Sequence, residues 1–281
     1  MVFMTDEELD RLLAEDVPYI DLTTALLGIS ACRGKLTFAA RAETVLAGTE
    51  IVQRICERLG LRVVLCRTSG TVMPAGECFL EAQGRAEELH MAWKVCLNIL
   101  EYTSGIATRT KTLVQLAQEA APGIAIITTR KSFPGTKKLA LQAILAGGAY
   151  PHRLGLSETL LLFAQHTNFL HSDAELEQRL RAMHQKVCEK KIIFEVKTSE
   201  EARKMLDFSI DGLQFDKFPA ETLHALLPEL RARRPEICLI AAGGIQEKNV
   251  REYAAAGVDA IATTAVYFGK PADICAKIEE L

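Results

Sequence analysis

Six side chains that are cationic, or can become so, fall between positions 130 and 153: Arg130, Lys131, Lys137, Lys138, His152 and Arg153. They follow the apolar run Ile124–Ile127 within IAIITTRKSFPGTKKLALQAILAGGAYPHR, residues 124–153. That run is short, β-branched and bounded by turn formers, so it reads as a buried strand. Cations gathered behind one buried strand need something anionic to hold. The chain carries a net charge of only −3, so this cluster is a local pocket and not the broadly basic footprint of a nucleic-acid binder.

The acids and glycines that could complement those cations fall in a pattern of their own. Glu195 lies late in IIFEVK, Asp216 ends LQF, Gly243 and Gly244 follow LIAA, and Thr263 and Thr264 follow AIA. Each stands near the carboxyl end of a predicted strand. Carboxylates there could stabilise positive charge developing on a sugar, and a glycine pair lets backbone N–H groups approach a phosphate.

The elements that must position these residues alternate. Apolar strands are predicted at 124–128, 159–164, 192–197, 211–216, 237–242 and 259–264, with helices at 173–189, 199–208, 219–232 and 246–256 between them. Such alternation implies parallel strands joined by right-handed crossovers. No G-x-G-x-x-G follows any strand, so a closed β/α barrel of about six parallel strands fits better than an open dinucleotide-binding sheet. In a parallel barrel the carboxyl ends of the strands converge on one mouth. Earlier in the chain, Thr5 to Glu8 form a capping-box pattern opening a short helix. Strands near 35–40 and 62–67 flank an amphipathic helix, and a further strand follows MPAGE. Helix is expected from Arg85 to about Tyr102, a break at Ser104-Gly105, and a second helix reaching Pro122-Gly123.

At 281 residues and 49% hydrophobic content, the chain can bury a core in two domains or one large one. Its eight cysteines include no C-x-x-C, which argues against a disulfide framework or a zinc site. The opening MVFMTDEELDRLL is acidic and amphipathic, unlike a secretory leader. No apolar run reaches the roughly 20 residues needed to span a bilayer. A cytoplasmic protein without membrane partners is expected.

The stretches EDVPYIDLTT, TVLAG, CLNILEYTSGIAT, TTRKSFPGTKKL, GGAYPHRLGLSE, FEV, FD, AAGGI and NVREYAAAGVDAI resemble the quinolinate phosphoribosyltransferase (nicotinate-nucleotide pyrophosphorylase) family over essentially the whole chain. The wording around residues 128–163 is closest to its ModD-like branch, linked to molybdate transport. The resemblance implies an N-terminal α/β sandwich-like domain, residues 1–104, and a barrel domain, residues 105–269. It also implies a final helix, 270–281, returning to the first domain. It implies a homodimer or larger assembly, and a reaction joining a pyridine dicarboxylate to phosphoribosyl pyrophosphate with substrate-bound Mg2+, as in NAD biosynthesis. By position, Arg130, Lys131, His152 and Arg153 match the cations around the substrate carboxylates and pyrophosphate. Glu195 and Asp216 match the acids under the ribose, with Lys131 in the catalytic group. Gly243 and Gly244 match the loop that receives the 5′-phosphate, with Thr263 and Thr264 beside it. No metal-ligating side chains are assigned.

The departures concern the substrate. Phe163, followed by Ala164-Gln165-His166, stands where the family has a lysine of its Lys-(Asp/Glu)-Asn-His run. Lys94 replaces an arginine supplied across the dimer interface, keeping charge but losing bidentate geometry. Lys197 replaces a second acid, Ala242 a serine and Thr264 a glycine. An aromatic wall in place of a cation disfavours a dianionic acceptor. The expected function is therefore phosphoribosyl transfer to a carboxylated nitrogen heterocycle other than quinolinate. The alternatives are a true carboxylating quinolinate phosphoribosyltransferase and a non-catalytic oxyanion or nucleotide binder serving molybdate handling. Plainer readings stand beside these: Arg130 and Lys131 as rim charges, Lys137 or Lys138 as a surface lysine, Asp216 as a helix cap, His152-Arg153 and Gly243-Gly244 as turns. His166 and His171 read as polar loop residues, lacking a third metal ligand at recognisable spacing.

Overall fold

Capping, period-2 strands and period-3.6 helices account for most of the architecture of residues 2–281, which the computed structural model describes. By internal contacts the chain divides into two units. One comprises the chain up to Lys111 together with Ser132–Gly148 and Val266–Leu281; the other comprises Thr112–Lys131 and Ala149–Ala265.

In the first unit an antiparallel sheet runs in the order Ile274–Glu280, Arg33–Ala40, Cys78–Arg85, Arg62–Cys66. Leu36, Phe38 and Ala40 alternate inward along one strand, as a half-buried sheet requires. They share a core with Ile51, Val52, Ile55 and Cys56 from the helix Thr49–Arg58 and with Leu89, Ala92, Cys96 and Leu100. The first helix, Asp6–Asp16, opens on the expected capping box: Glu8 N–H donates to Thr5 Oγ1 and Thr5 N–H donates to Glu8 Oε2. Lys138 Nζ lies 2.7 Å from Glu8 and, with Thr5, holds that carboxyl below its usual range.

Two sequence expectations are corrected here. The final segment is a strand, Ile274–Glu280, and not a helix. Its apolar residues Ile274, Ala276 and Ile278 recur every second position and pack on the core, which is the strand period. The expected break at Ser104-Gly105 is absent, because one 35-residue helix runs from Ala86 to Ala120. Gly105 serves close approach instead: a Cβ there would lie 2.9 Å from Ala272 N and 3.0 Å from Pro271 Cα. Ser104 is buried and its hydroxyl accepts from Ala47 N–H at 3.0 Å.

In the second unit seven parallel strands run in the order Tyr150–Pro151, Ala125–Thr128, Ala260–Thr263, Cys238–Ala242, Gly212–Asp216, Ile192–Val196, Leu160–Leu162. The strand added to the expected six, Tyr150–Pro151, is two residues long, too short to show a period. Among the described residues the two end strands do not pair with each other, so the sheet is a half-barrel, not the closed one expected. Helices Asp173–Lys186, Ser199–Met205, Ala220–Arg233 and Val250–Ala255 supply the crossovers. Two begin on side-chain caps, Ser172 accepting from Glu175 N–H and Thr198 from Glu201 N–H. At the amino-terminal edge of the sheet Asp211 accepts from Ile192 N–H and Asp259 from Leu239 N–H. Those carboxylates stitch neighbouring strands and leave the opposite edge for chemistry.

Gly105→Ala tests the close approach. Helix propensity alone favours alanine by roughly 1 kcal/mol. The contact with the 270–272 backbone should reverse that sign and destabilise by about 1–3 kcal/mol, read as a lower Tm. A higher Tm would show that the helix tolerates a side chain at that contact.

Candidate active site

Strand parity decides which side chains enter the barrel. Leu161, Ile193, Ile240, Ala242, Ala260 and Ala262 form an inner cluster with Ile127, Phe163 and Cys238 packed on it. Successive side chains alternate across a strand. Glu195 therefore shares the inner face with Ile193, Thr264 with Ala262, and Thr129 with Ile127. Gln214 is in register with both Glu195 and Ile240, and Asp216 with Ala242, so Gln214 and Asp216 face inward too. Because the strands are parallel and in register, these residues emerge at one carboxyl-terminal edge.

The acids sit together. Glu195 is half-buried, and its carboxyl is pushed up by that burial and by Asp216. A hydrogen bond from Gln214 and the charges of Lys197 and Lys131 pull it back. Gln214 Nε2 donates to Glu195 Oε2 at 2.8 Å, from a side chain only 6% exposed. Sequence reasoning missed Gln214. A buried amide in an apolar strand, one strand from a buried acid, is the signal that could have found it.

The cations gather along the same edge. His152 N–H donates to Thr128 O at 2.9 Å, placing His152 beside the end of the strand that leads into Arg130 and Lys131. Burial, then Arg153 and Arg130, push the His152 imidazole down, and burial and Arg130 lower the Arg153 guanidinium. Burial and the two guanidinium groups thus favour the neutral imidazole, and an anion bound among these cations would favour its protonation. Lys131 links the two groups, adjacent to Arg130 in the chain and close enough to Glu195 to stabilise its charge.

Phe163 directly follows the strand Leu160–Leu162, which pairs with the strand of Glu195. The Arg153 guanidinium carbon lies 6.0 Å from its ring centroid, the outer limit of a cation–π contact. His166 stacks on the same ring, centroids 5.7 Å apart, and its Nδ1 accepts from Phe163 N–H at 3.0 Å. His166 thus braces the aromatic wall. Among the described residues no group of three or more His, Cys, Asp or Glu could hold a metal ion.

The glycine loop is built for close approach. Gly243 and Gly244 have φ of 88° and 75°, open only to glycine at little cost. A Cβ on Gly243 would meet Asp216 Oδ1 at 2.7 Å and Lys217 Cγ at 2.5 Å, whereas one on Gly244 would meet nothing within 4 Å. Asn249 Nδ2 donates to Gly244 O and Asn249 Oδ1 accepts from Gln246 N–H, closing the loop.

Thr263 and Thr264 part company. Thr263 is buried, its hydroxyl donating to Ile245 O and accepting from Ala265 N–H, so it ties the glycine loop to its strand instead of facing a ligand. Thr264 Oγ1 lies 2.8 Å from Thr129 Oγ1 on the inner face. Lys138 is spent on Glu8 in the first unit, and Lys137 opens the helix Lys137–Ala146 of the same unit. Lys94 also belongs to the first unit, exposed on the long helix with its ammonium 4.5 Å from the Trp93 ring centroid.

The charge of Glu195 generates a stability test. Its folded-state carboxyl titrates above the ordinary value, so ionising it costs stability as pH rises through that raised value, and the cost vanishes when pH falls low enough to protonate the acid in both states. Glu195→Gln should therefore raise Tm by a few degrees at neutral pH and lose that advantage in acid. A neutral-pH Tm at or below the parent would contradict the burial argument. In 13C spectra, Gln214→Leu should move the Glu195 titration further up; an unmoved midpoint would deny Gln214 its role.

Known proteins match the chain in sequence and in fold. Residues 21–104 match the N-terminal domain, and residues 106–275 the C-terminal domain, of quinolinate phosphoribosyl transferase. A ModD protein of Pasteurella multocida, named as a proposed pyrophosphorylase, is 35% identical over 280 residues, covering 100% of this chain and 99% of that protein. A ModD of Rhodobacter capsulatus named in the same way is 39% identical, covering 89% and 95%. The probable carboxylating nicotinate-nucleotide pyrophosphorylase of Methanothermobacter thermautotrophicus is 29% identical, covering 89% and 90%. In fold, the nicotinate-nucleotide pyrophosphorylase of Francisella tularensis superposes with a TM-score of 0.88 at 22% identity, over 99% and 98% of the two chains. The chain belongs to the quinolinate phosphoribosyltransferase family, whose chemistry is pentosyl transfer.

Proposed function

We propose that this protein transfers the phosphoribosyl group of phosphoribosyl pyrophosphate to a carboxylated nitrogen heterocycle. The observation that carries the reading is the shared inner face: Glu195 and Asp216 stand one strand apart, with Lys131 acting on Glu195 and Arg130, His152 and Arg153 on the same edge. Departure of pyrophosphate leaves oxocarbenium-like charge at C1 of the ribose, which two fixed carboxylates stabilise. The cations neutralise the leaving group and the acceptor carboxylate. Mg2+ enters as part of the substrate, carried on pyrophosphate, as that cation commonly is with phosphate substrates.

Phe163 shapes the choice of acceptor. An aromatic wall beside a single guanidinium favours a planar ring with one carboxylate over the two of quinolinate. Quinolinate itself is the second reading, favoured by the likeness to relatives named carboxylating nicotinate-nucleotide pyrophosphorylases. We extend the reading to a role beside molybdate handling, which the ModD-like wording of residues 128–163 implies. An assembly of at least two copies, with Lys94 serving a neighbouring copy's site, and a cytoplasmic location complete the proposal.

Pyrophosphate release with a panel of heterocyclic acids, phosphoribosyl pyrophosphate and Mg2+ tests it. A monocarboxylate should outperform quinolinate, and Phe163→Lys should shift the preference toward quinolinate. Quinolinate as the best acceptor of the parent would establish the second reading. Glu195→Gln should lower turnover by about 10²–10³ while remaining folded. Unchanged turnover in that variant, or ligand-induced stabilisation with no release from any acceptor, would overturn the proposed catalysis.

A further inference from the structure

Lys217 is the one non-glycine residue with positive φ among the described residues, at 61°. A long side chain adopts that left-handed backbone only where its surroundings impose it, and here they do so from several sides. Lys217 N–H donates to Ala242 O at 2.8 Å. The next carbonyl, Phe218 O, accepts from the buried Tyr253 hydroxyl at 2.8 Å. The Phe218 ring packs edge-on against Phe215, centroids 5.2 Å apart, and both rings are buried.

The turn thereby carries the lysine stem onto the glycine loop. The stem lies against Gly243: a Cβ there would sit 2.5 Å from Lys217 Cγ, beside Asp216 Oδ1 at 2.7 Å and Lys217 N at 2.8 Å. The side chain is otherwise exposed, and among the described residues its ammonium has no ion-pair partner. Ala242, just before the loop, offers no hydroxyl. A strained backbone, a stem seated on the loop and an unneutralised charge together describe a cation held ready for an anion at Gly243-Gly244.

We infer that Lys217 is a phosphate-binding residue, whose ammonium meets the 5′-phosphate of the ribosyl substrate over the Gly243-Gly244 loop. The inference rests on the phosphoribosyl reading above and adds to it a ligand for the end of the substrate remote from pyrophosphate. The recognised chemistry is a phosphate monoester, and Lys217 supplies a point charge where the backbone of the loop supplies N–H donors.

Calorimetric titration of the full chain with ribose 5-phosphate, and separately with pyrophosphate, tests the assignment. Lys217→Asn is the informative variant, because asparagine tolerates the left-handed backbone while removing the charge. It should weaken ribose 5-phosphate binding by roughly 10-fold to 100-fold and leave pyrophosphate binding near that of the parent. Lys217→Arg should retain most of the affinity. Unchanged ribose 5-phosphate binding in a folded Lys217→Asn protein overturns the inference alone, as does an equal loss for pyrophosphate. A parent protein that binds neither ligand overturns it together with the phosphoribosyl reading. Lys217-dependent binding of ribose 5-phosphate without pyrophosphate release from any acceptor upholds the inference and removes the transfer reaction.

Discussion

An ionisable carboxyl has been placed inside a barrel, one strand away from another carboxyl, and much of the strand-end architecture serves that placement. Burial and Asp216 disfavour the charge of Glu195; Gln214, Lys197 and Lys131 favour it. The balance leaves an acid whose charge is disfavoured in the resting protein, and the proposed transfer would draw on that charge as a cation develops beside it. Electrostatic stabilisation of that kind is strongest where water is scarce and the dipoles are fixed in advance. Gln214 supplies such a dipole. It is held by the strand ladder, so it need not reorganise as the charge on a substrate changes.

The ladder also explains why residues far apart in the chain act together. Parallel strands in register convert separation along the sequence into adjacency along an edge, and parity admits alternate side chains only. Phe163, Glu195, Asp216 and Thr264 pass that test. Thr263, one residue from Thr264, fails it and becomes an internal tie to Ile245. The cations reach the edge by a different route, through the turn after Thr128 and through His152, whose N–H is fixed to Thr128 O.

Much of this was legible from the sequence because it rests on local rules. Strand-and-helix alternation, the capping box of Thr5 and Glu8, and the polar residues at strand ends all follow from periods of two and 3.6. What was not legible depended on tertiary context. Gly105 looked like a helix break because glycine has low propensity, but the helix continues and the missing side chain lets the backbone at 270–272 approach. The resemblance implies a helix at the end of the chain, whereas Ile274, Ala276 and Ile278 carry the strand period and the segment pairs with Arg33–Ala40. Gln214 and Lys217 are hard to read from sequence for another reason. An amide inside a strand and a lysine in a turn carry no motif, and their meaning lies in a partner, Glu195 or Gly243, that only the fold supplies.

A crystal structure of the protein with phosphoribosyl pyrophosphate and Mg2+ would examine the convergence of acids, cations and glycine loop most directly. The account predicts ribose C1 facing Glu195 and Asp216, pyrophosphate among Arg130, Lys131, His152 and Arg153, and the 5′-phosphate on Gly243-Gly244. Substrate bound away from the carboxyl-terminal strand edge, or with its sugar remote from both acids, would contradict it.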